Sequence, residues 1–352
     1  MNILHISSAK SWRGGERQVH YLIRGQASKE NEVYLMCPAR SPLKSKCIAD
    51  IQDFVPFRKG AAGYPMNLIT LVKLCKEVKI DIIHGHDSHS HSLIWMAYKI
   101  GALKTPSVVT RRLNNPIRDK SKAKYNHPGV QKIICVSTAV KEKMMPQIVD
   151  CSRLEIIHSA IDLSDISEPK RISLDQEFTI GYVAAFTEEK DHQLFMEVAL
   201  ELLKRSNQYR FLLVGDGPLL EQTKNLAGDL INKFEFTGFV DDVNSEYKKM
   251  DLLLHTAKAE ALGTSILDGM KFGLPIVAND VGGIKEIVKH GKNGLLTERR
   301  DFLQMSDNVH SILSDTVVYN SMSAMSLELI RPFGISAMLD KTIGLYKKIL
   351  DL

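Results

Sequence analysis

The chain has 352 residues, enough for two domains of ordinary size, with a net charge of +5. Its 44% hydrophobic content excludes a disordered chain, and no apolar window is long enough for a membrane-spanning helix. The first residues lack the basic-then-apolar order of a signal peptide, and the five cysteines have no C-x-x-C spacing, so we expect a cytoplasmic protein with reduced thiols.

Short apolar runs alternate with longer amphipathic stretches from end to end. The predicted strands are Asn2–Ile6, Glu32–Met36, Ile82–His84, Ser107–Thr110, Lys132–Val136, Leu154–Ile157, Thr179–Val183, Arg210–Val214, Phe234–Thr237, Leu252–Leu254 and Ile276–Ala278. Helical patterns lie between most of them, as at Leu68–Lys76, Ser92–Ile100 and His192–Lys204. This order predicts an α/β fold of βαβ units with parallel sheets covered on both faces.

A polar stretch at 158–177, with Pro169, interrupts the alternation and predicts an interdomain linker. We therefore expect two doubly wound, Rossmann-like domains facing a central cleft. Their predicted bounds are 1–165 and 166–330. Ligands of such sheets bind beyond the carboxyl ends of the strands, so motifs that follow strands are the candidate functional sites.

The first such motif is Ser11–Arg17, where Gly14 and Gly15 follow a strand and open a helix. Glycines at this point allow the backbone to approach a ligand, with helix N–H groups directed at it. The alternative is that the two glycines only close a tight turn.

A cluster of four histidines begins at the end of the strand Ile82–His84. Its members are His84, His86, His89 and His91. Closely spaced imidazoles can bind zinc, but the later pair falls in a loop and a helix start, and Asp87 is the one acidic neighbour. We expect no metal here, and we expect His84 to be a packed strand residue.

Basic residues are concentrated in the first half of the chain. Residues 1–165 hold 25 Lys and Arg against 14 Asp and Glu, a net of +11, and the rest holds 21 against 27. The densest run, Arg111–Lys124, has six basic side chains and one acid, without interleaved aromatics. It favours an anionic membrane surface or a phosphorylated glycolipid over nucleic acid; a solvated loop is the alternative. We expect Arg118, Lys120, Lys122 and Lys124 to supply the surface charge for such binding.

Three further motifs follow strands in the second half. Lys190 lies in Glu188–His192, where the acids alone would suit an ordinary solvated helix start. Gly215 and Asp216 lie in the turn Leu213–Pro218, and Phe239 and Val240 close the turn Thr237–Val240. Each of these turns could be an ordinary strand–helix connection.

The most informative segment is 258–294, in which Glu260 and Asp268 flank a Gly-Thr-Ser run. If a helix begins near Gly263, the backbone N–H groups of Gly263 and Thr264 form an anion site between the two acids. A phosphate with sugar hydroxyls on both sides, as in a nucleotide sugar, fits this pattern.

The same segment resembles the donor-binding signature of retaining GT-B-fold glycosyltransferases of family 4, usually E-x7-E and here with Asp268 as the second acid. The downstream family patterns also match at 273–278 and 282–288. The segments 133–137 and 156–162 resemble the family's last first-domain strand and its crossover. The resemblance thus covers nearly the whole chain, and it implies that residues 331–352 form a last helix that crosses back to the first domain.

The resemblance also implies roles for the donor-side residues. Glu260 would hold the hydroxyls of the transferred sugar, and Asp268 those of the ribose. Lys190, with the amides of Gly263 and Thr264, would neutralise the diphosphate.

Further family positions would complete the donor site. The Gly14–Gly15 loop faces the diphosphate, and His86 contacts the transferred sugar. Gly215 and Asp216 lie in the family's G-x-G-P turn, and the turn of Phe239 and Val240 reads the base. The family often has an arginine where this chain has Ala185, so Arg111 and Arg112 are candidates to replace it.

The sequence therefore predicts a hexosyltransferase-type, retaining and metal-independent enzyme that uses a nucleotide sugar and no cofactor. The Thr-Arg-Arg segment resembles a subgroup associated with cell-envelope polysaccharides, which favours a glycolipid or saccharide acceptor and a peripheral position on the inner face of the plasma membrane. The alternatives are another GT-B nucleotide-sugar enzyme, an epimerase or a phosphorylase, and a non-catalytic sugar-binding protein.

Overall fold

A computed structural model describes residues 1–60 and 62–352. Contacts divide the chain into two compact units: residues 1–160 with 335–352, and residues 161–334. From the sequence we expected the first domain to end at residue 165 and the last helix to begin at residue 331.

The first unit is a parallel seven-stranded sheet with the strand order β3-β2-β1-β4-β5-β6-β7. Its strands are β1 Asn2–Ile6, β2 Glu32–Cys37, β3 Asp53–Pro56, β4 Ile82–Gly85, β5 Ser107–Arg111, β6 Val130–Cys135 and β7 Leu154–Ile156. Its helices are α1 Gly14–Ala27, α2 Pro42–Cys47, α3 Gly63–Glu77, α4 Ser88–Lys99, α5 Asp119–Tyr125 and α6 Thr138–Met144. The order of the strands reverses between β1 and β4, which makes that point the expected place for a ligand.

The second unit is a parallel six-stranded sheet with the order β10-β9-β8-β11-β12-β13. Its strands are β8 Phe178–Val183, β9 Tyr209–Val214, β10 Phe234–Gly238, β11 Leu252–His255, β12 Ile276–Asn279 and β13 Gly294–Thr297. Its helices are α7 His192–Arg205, α8 Leu220–Asn225, α9 Val243–Lys249, α10 Thr264–Lys271, α11 Ile284–Ile287, α12 Phe302–Leu313 and α13 Thr316–Leu329. Here the reversal lies between β8 and β11.

Each predicted strand overlaps an observed one, and two observed strands were not predicted. These are β3 and β13, which are both four residues long and form the edges of their sheets. Such short edge strands carry too little alternation to stand out from loops. The strand at Leu154 pairs with β6 and so completes the first sheet.

The second sheet is covered on both faces because successive side chains of a strand point to opposite sides. In β9, Phe211 and Leu213 enter one buried apolar cluster, with α7 and α12. Leu212 and Val214 enter the other, which contains residues of α9 and α10. The near-continuous apolar run of β9 is therefore required by burial on both faces.

The last helix, α14 (Ile335–Leu350), belongs to the first unit. Its Met338, Leu339 and Tyr346 are buried in one apolar cluster with Ile3 of β1. A Cβ atom added to Gly25 of α1 would lie 2.1 Å from Leu339 Cδ1, so glycine permits the close approach of α1 and α14. None of the described helices has the length and apolarity needed to cross a membrane.

Candidate active site

An ion pair lies at the point of the second sheet where the strand order reverses. The Nζ atom of Lys190 lies 2.5 Å from Oε2 of Glu260. Lys190 ends a short helical turn after β8, and Glu260 lies in the loop after β11, the neighbouring strand. The two predicted catalytic residues of this unit are therefore brought together from positions 70 residues apart.

Buried hydrogen bonds fix the main chain on the lysine side of this pair. The hydroxyl of Tyr182, from β8, donates to the carbonyl of Lys190 at 2.7 Å. The hydroxyl of Thr256 donates to the carbonyl of Asp191 at 3.0 Å, and the amide of Lys258 donates to the carbonyl of Glu189 at 2.8 Å. The first bond ties the turn of Lys190 to β8, and the other two join that turn to the segment after β11, so the separation of the ion pair does not depend on flexible side chains alone.

Glu260 is a carboxylate at neutral pH. Burial by itself would raise its pKa, but the nearby His255 and the charge of Lys190 outweigh it and lower the pKa to about 2. The Nε2 atom of His255 lies 3.5 Å from Glu260 Oε2, and burial lowers the pKa of that histidine. Glu260 can accept hydrogen bonds from hydroxyl groups, but it cannot act as a general acid near pH 7.

Helix α10 begins beside Glu260, as the sequence predicts. Gly263 is its N-cap, with a φ of 101° that favours glycine. The first helical hydrogen bonds are donated by the amides of Ile266 and Leu267 to the carbonyl of Gly263, which leaves the Thr264 amide at the exposed start of the helix. Asp268 lies in the second turn and is 6% exposed. Glu260 and Asp268 thus lie on the two sides of a helix N-terminus.

The two remaining turns of this unit lie next to each other. The amide of Gly215 donates to the carbonyl of Gly238 at 3.0 Å, which joins the turn after β9 to the turn after β10. A Cβ atom on Gly215 would lie 2.1 Å from the carbonyl oxygen of Ala184, so the turn requires glycine. Asp216 is exposed, Phe239 is 63% exposed, and Val240 packs partly against the core. An exposed aromatic ring beside a glycine turn is suited to stacking on a planar base.

In the first unit, Gly14 and Gly15 open α1, and Arg112 packs against them. A Cβ atom on Gly15 would lie 3.8 Å from Arg112 Cδ, and an Arg112 Nη1 atom donates to the carbonyl of His86 at 3.3 Å. Burial lowers the pKa of Arg112 to about 10, against the opposing charges of Glu16 and Asp87. The glycine loop, Arg112 and His86 are therefore neighbours at the reversal point of the first sheet.

His86 belongs to a buried histidine network that includes one member not predicted from sequence. His5 of β1 places its Nδ1 atom 2.8 Å from His86 Nε2 and its Nε2 atom 2.7 Å from Gln26 Oε1. With the amide oxygen of Gln26 accepting from His5, His5 Nδ1 accepts from the N–H of His86. The Nδ1 atom of His86 is then an acceptor, and it has no partner among the described residues.

His84 is a packed strand residue, as expected. Its Nδ1 atom lies 2.5 Å from the hydroxyl of Tyr346, and its Nε2 atom lies 2.6 Å from the hydroxyl of Thr110. Burial holds the pKa of His84 and His86 well below the ordinary value, so both rings are neutral at pH 7.

Three of these histidines are close enough to one another to be considered as metal ligands. Nitrogen atoms of His5, His84 and His86 lie within 4.8 Å of one another. However, His5 and His86 are hydrogen-bonded to each other, and both nitrogens of His84 have hydroxyl partners. A metal would have to displace these bonds, so the residues fit a hydrogen-bonded network better than a metal centre; the absence of a metal stays a prediction.

Arg111 and Arg112 point in different directions because they are consecutive at the end of a strand. Arg111 donates through Nη2 to the carbonyl oxygen of Asn115 at 3.0 Å and to its side-chain oxygen, away from the glycine loop. Lys124 lies near Arg111 and is only 5% exposed. The expectation that Lys124 supplies surface charge is therefore wrong, because its helix turns this side chain inward.

Sequence reasoning missed four residues that support these sites: His5, Tyr182, His255 and Arg300. His5, Tyr182 and His255 lie at or near the carboxyl ends of predicted strands, which is a signal that could have identified them. Arg300 has no such signal. Its guanidinium donates to both carboxylate oxygens of Asp191, next to Lys190, from 109 positions away.

Two family models match most of the chain. The model described as Glycosyltransferase Family 4 matches residues 12–165, and the model described as Glycosyl transferases group 1 matches residues 177–315. Each therefore falls almost entirely within one of the two units.

Individual proteins similar to this chain are also named as glycosyltransferases. The chain is 24% identical to an uncharacterized glycosyltransferase of Methanocaldococcus jannaschii, over 79% of both chains. It is also 24% identical to the UDP-Gal:alpha-D-GlcNAc-diphosphoundecaprenol alpha-1,3-galactosyltransferase of Escherichia coli, over 80% of this chain and 78% of that one. Alignments with several other relatives cover about half of those proteins.

Solved structures show the same fold. The crystal structure of Anabaena HepE in complex with UDP-glucose superposes with a TM-score of 0.82 at 19% identity, covering 99% of this chain and all of that one. The match extends through both parallel sheets.

Proposed function

The chain belongs to the GT-B-fold glycosyltransferases of family 4, and we propose that it transfers a hexose-type sugar from a nucleoside-diphosphate donor to a hydroxyl acceptor with retention of anomeric configuration. The observation that carries this proposal is the Lys190–Glu260 pair beside the N-terminus of α10. It combines a cation and free helix amides, which suit a diphosphate, with an ionised acceptor for sugar hydroxyls.

The donor-side roles follow from what each group can offer. Lys190 and the amides of Gly263 and Thr264 would stabilise the negative charge that develops on the leaving diphosphate. Glu260 would accept hydrogen bonds from the transferred sugar, since its low pKa keeps it ionised. Asp268, with a shorter side chain than the family's glutamate, would bind the ribose hydroxyls.

Base recognition falls to the joined turns after β9 and β10. Phe239 offers an exposed ring, and the backbone around Gly215 and Gly238 offers polar groups at fixed positions. The name of the Anabaena neighbour's ligand, UDP-glucose, supports a uridine donor as the first to be tested.

The chemistry we propose needs no metal and no covalent intermediate on the protein. The cation and helix amides would take the place of a divalent ion at the diphosphate. The acceptor hydroxyl would attack the anomeric carbon on the face that the leaving phosphate departs from, and that phosphate would take the hydroxyl proton. Glu260 would contribute by orienting the sugar, not by donating a proton.

We assign to the first unit the binding of substrate hydroxyls through His86. Its Nδ1 atom is a hydrogen-bond acceptor with no protein partner among the described residues, and the ring is neutral. Arg112, held against Gly15, supplies a partly buried positive charge beside it and is our candidate to replace the family arginine absent at Ala185.

For the acceptor we propose a cell-envelope glycolipid or saccharide precursor, used at the inner face of the plasma membrane. The Escherichia coli relative is named for a diphosphoundecaprenol acceptor, which supports a lipid-linked one here. The exposed Arg118 and Lys120 and the half-buried Lys122 would attract an anionic lipid surface.

The test begins with thermal unfolding in the presence of UDP-, GDP-, ADP- and CMP-linked sugars, since binding to the folded state raises its melting temperature. The donor that binds is then incubated with protein, and NMR follows the configuration of the anomeric carbon in the product. We expect one base to be preferred and the configuration to be retained. Donor consumption that yields an epimerised nucleotide sugar without acceptor would favour an epimerase and overturn the proposal.

A further inference from the structure

A pocket of about 570 Å³ lies in the first unit, between α4, α5 and the segment that follows β5. Its lining includes three apolar side chains, the half-buried Trp95, the 54% exposed Leu113 and the buried Ile117. The basic part of the lining begins with Arg111, the last residue of β5, so the pocket adjoins the ligand-binding edge of the sheet.

The basic part of the lining contains two buried cations without a counterion. Arg111 is 9% exposed and Lys124 is 5% exposed, and no carboxylate lies within ion-pair distance of either in the described part of the chain. Buried charges are normally paired because desolvation is costly. Two adjacent unpaired ones therefore indicate a place prepared for an anion.

Hydrogen-bond donors in the pocket remain available to such an anion. The buried Nε atom of Arg111 has no partner among the described residues. Lys124 uses its three N–H groups within the protein, donating to the carbonyl and hydroxyl oxygens of Ser88, both at 2.9 Å, and to the hydroxyl of Ser92 at 3.1 Å, so it would offer an anion its charge and no free donor. The Ser88 hydroxyl accepts from Lys124, and its own hydrogen has no acceptor within the described residues. Arg118 and Lys120 extend the basic lining toward the solvent.

We propose that this pocket binds the phosphate group of an amphiphilic acceptor, with the phosphate against Arg111 and Lys124 and the apolar chain against Trp95, Leu113 and Ile117. The proposal rests on the proposed function, because it names the chemical class of the acceptor. A phosphate monoester or diester bound in this way would offset the charge of both cations. An apolar chain would cover the exposed Leu113.

The occupant is a lipid phosphate and not free phosphate, because the pocket is too large and its lining too apolar for an inorganic ion. A nucleic acid does not fit either, because one half-buried indole and two aliphatic side chains offer no series of stacking platforms. The experiment decides between a lipid phosphate and free phosphate.

The experiment uses Trp95 as the reporter. The chain contains two tryptophans, Trp12 and Trp95, so Trp12→Phe leaves a single emitter in the pocket wall. Decyl phosphate is titrated below its micelle concentration, with decanol and inorganic phosphate in parallel. We expect a saturable change of Trp95 emission with decyl phosphate, and at least tenfold weaker binding of decanol and of inorganic phosphate.

Two variants and a matched control locate the phosphate. In the Trp12→Phe background, Lys124→Met and Arg111→Met should each weaken decyl phosphate binding at least tenfold. Lys73→Met, on α3 of the same unit, exposed and paired with Glu77, should change it less than twofold. Thermal melts establish that each variant is folded.

The proposal is overturned if decanol or inorganic phosphate binds as tightly as decyl phosphate, or if the two pocket variants bind it like the control. The comparison of the three ligands needs only the Trp12→Phe protein. It therefore remains decisive even if Lys124→Met or Arg111→Met fails to fold. Failure here is distinguishable from failure of the proposed function, because nucleotide-sugar binding is measured separately and should be unchanged by Lys124→Met.

Discussion

The two units place functional side chains at the same topological point of their sheets but treat charge in opposite ways. In the second unit, Lys190 and Glu260 neutralise each other at 2.5 Å, and their loops are joined by buried hydrogen bonds. In the first unit, the histidines at the strand ends are neutral, and Arg111 and Lys124 are buried without any carboxylate partner among the described residues.

We interpret the difference as a difference in the ligand that each unit would bind. A paired site could hold both ends of a polar donor, because one partner would face phosphate and the other would face hydroxyls. Unpaired buried cations are costly until an anion arrives, so they mark a place where the substrate completes the electrostatics. Substitutions at the paired and the unpaired sites test this contrast.

Removing the carboxylate of the paired site should abolish transfer. We expect Glu260→Ala to lower turnover at least about 100-fold, or about 2.7 kcal/mol of barrier, because the sugar loses its acceptor and Lys190 loses its partner. Nucleoside-diphosphate binding and the melting temperature should change little. The control is Glu201→Ala, since Glu201 has a similar side-chain exposure of 18% and a lysine partner at 2.8 Å. Retention of more than about a tenth of the activity would remove Glu260 from the site.

The second acid of the same unit should affect the nucleotide instead of the sugar. We expect Asp268→Asn to weaken nucleoside-diphosphate binding by about 1–2 kcal/mol, the cost of losing a charge-assisted hydrogen bond to ribose. Isothermal titration calorimetry measures this directly, with exposed Asp229→Asn as the control. An unchanged affinity in Asp268→Asn would exclude the ribose contact.

The unpaired cations of the first unit should make decyl phosphate binding depend on pH. Burial, and then Arg111, lower the pKa of Lys124 to about 8, while Asp87 opposes the shift. Because the anion binds the protonated form, its affinity should fall about tenfold between pH 7 and pH 9. Nearby His91, with its pKa lowered by burial to about 3, and Tyr125, with its pKa raised by burial, stay neutral over this range.

The same shift has a defined sign for stability. Between about pH 8 and the ordinary lysine value, the unfolded chain binds more protons at Lys124 than the folded one, so this group makes the free energy of unfolding rise with pH.

Fluorescence titration in the Trp12→Phe protein measures the pH dependence of decyl phosphate binding. A fall of the same size in Lys124→Met would assign the pH dependence to another group.

The smallest expected effect concerns the buried, neutral histidine network of His5, His84 and His86. Tyr346→Phe removes the hydroxyl that bonds to Nδ1 of His84 and leaves that buried nitrogen unpartnered, so we expect a loss of about 1 kcal/mol in the free energy of unfolding. Urea unfolding at pH 7 measures it. Tyr64→Phe loses only a 3.3 Å contact with the carbonyl of His89 near the surface and serves as the control. Equal stability of the two variants would contradict a structural role for the network.

Much of the fold could be predicted from the sequence, because parallel strands buried on both faces are near-continuous apolar runs. Polar turn residues mark the ends of these runs. The positions of β1, β4, β8 and β11, and hence of the motifs after them, were predictable for that reason. The short strands β3 and β13 were not, since four residues carry little pattern.

The family, the two-unit α/β architecture and the start of α10 at Gly263 could be predicted from residue order, because each depends on patterns over short distances. The contacts of His5 with His86 and of Arg300 with Asp191, and the burial of Lys124 near Arg111, appear only in the folded protein. Those contacts join residues far apart in the chain, and their partners are chosen by sheet order and side-chain direction, which no local pattern encodes.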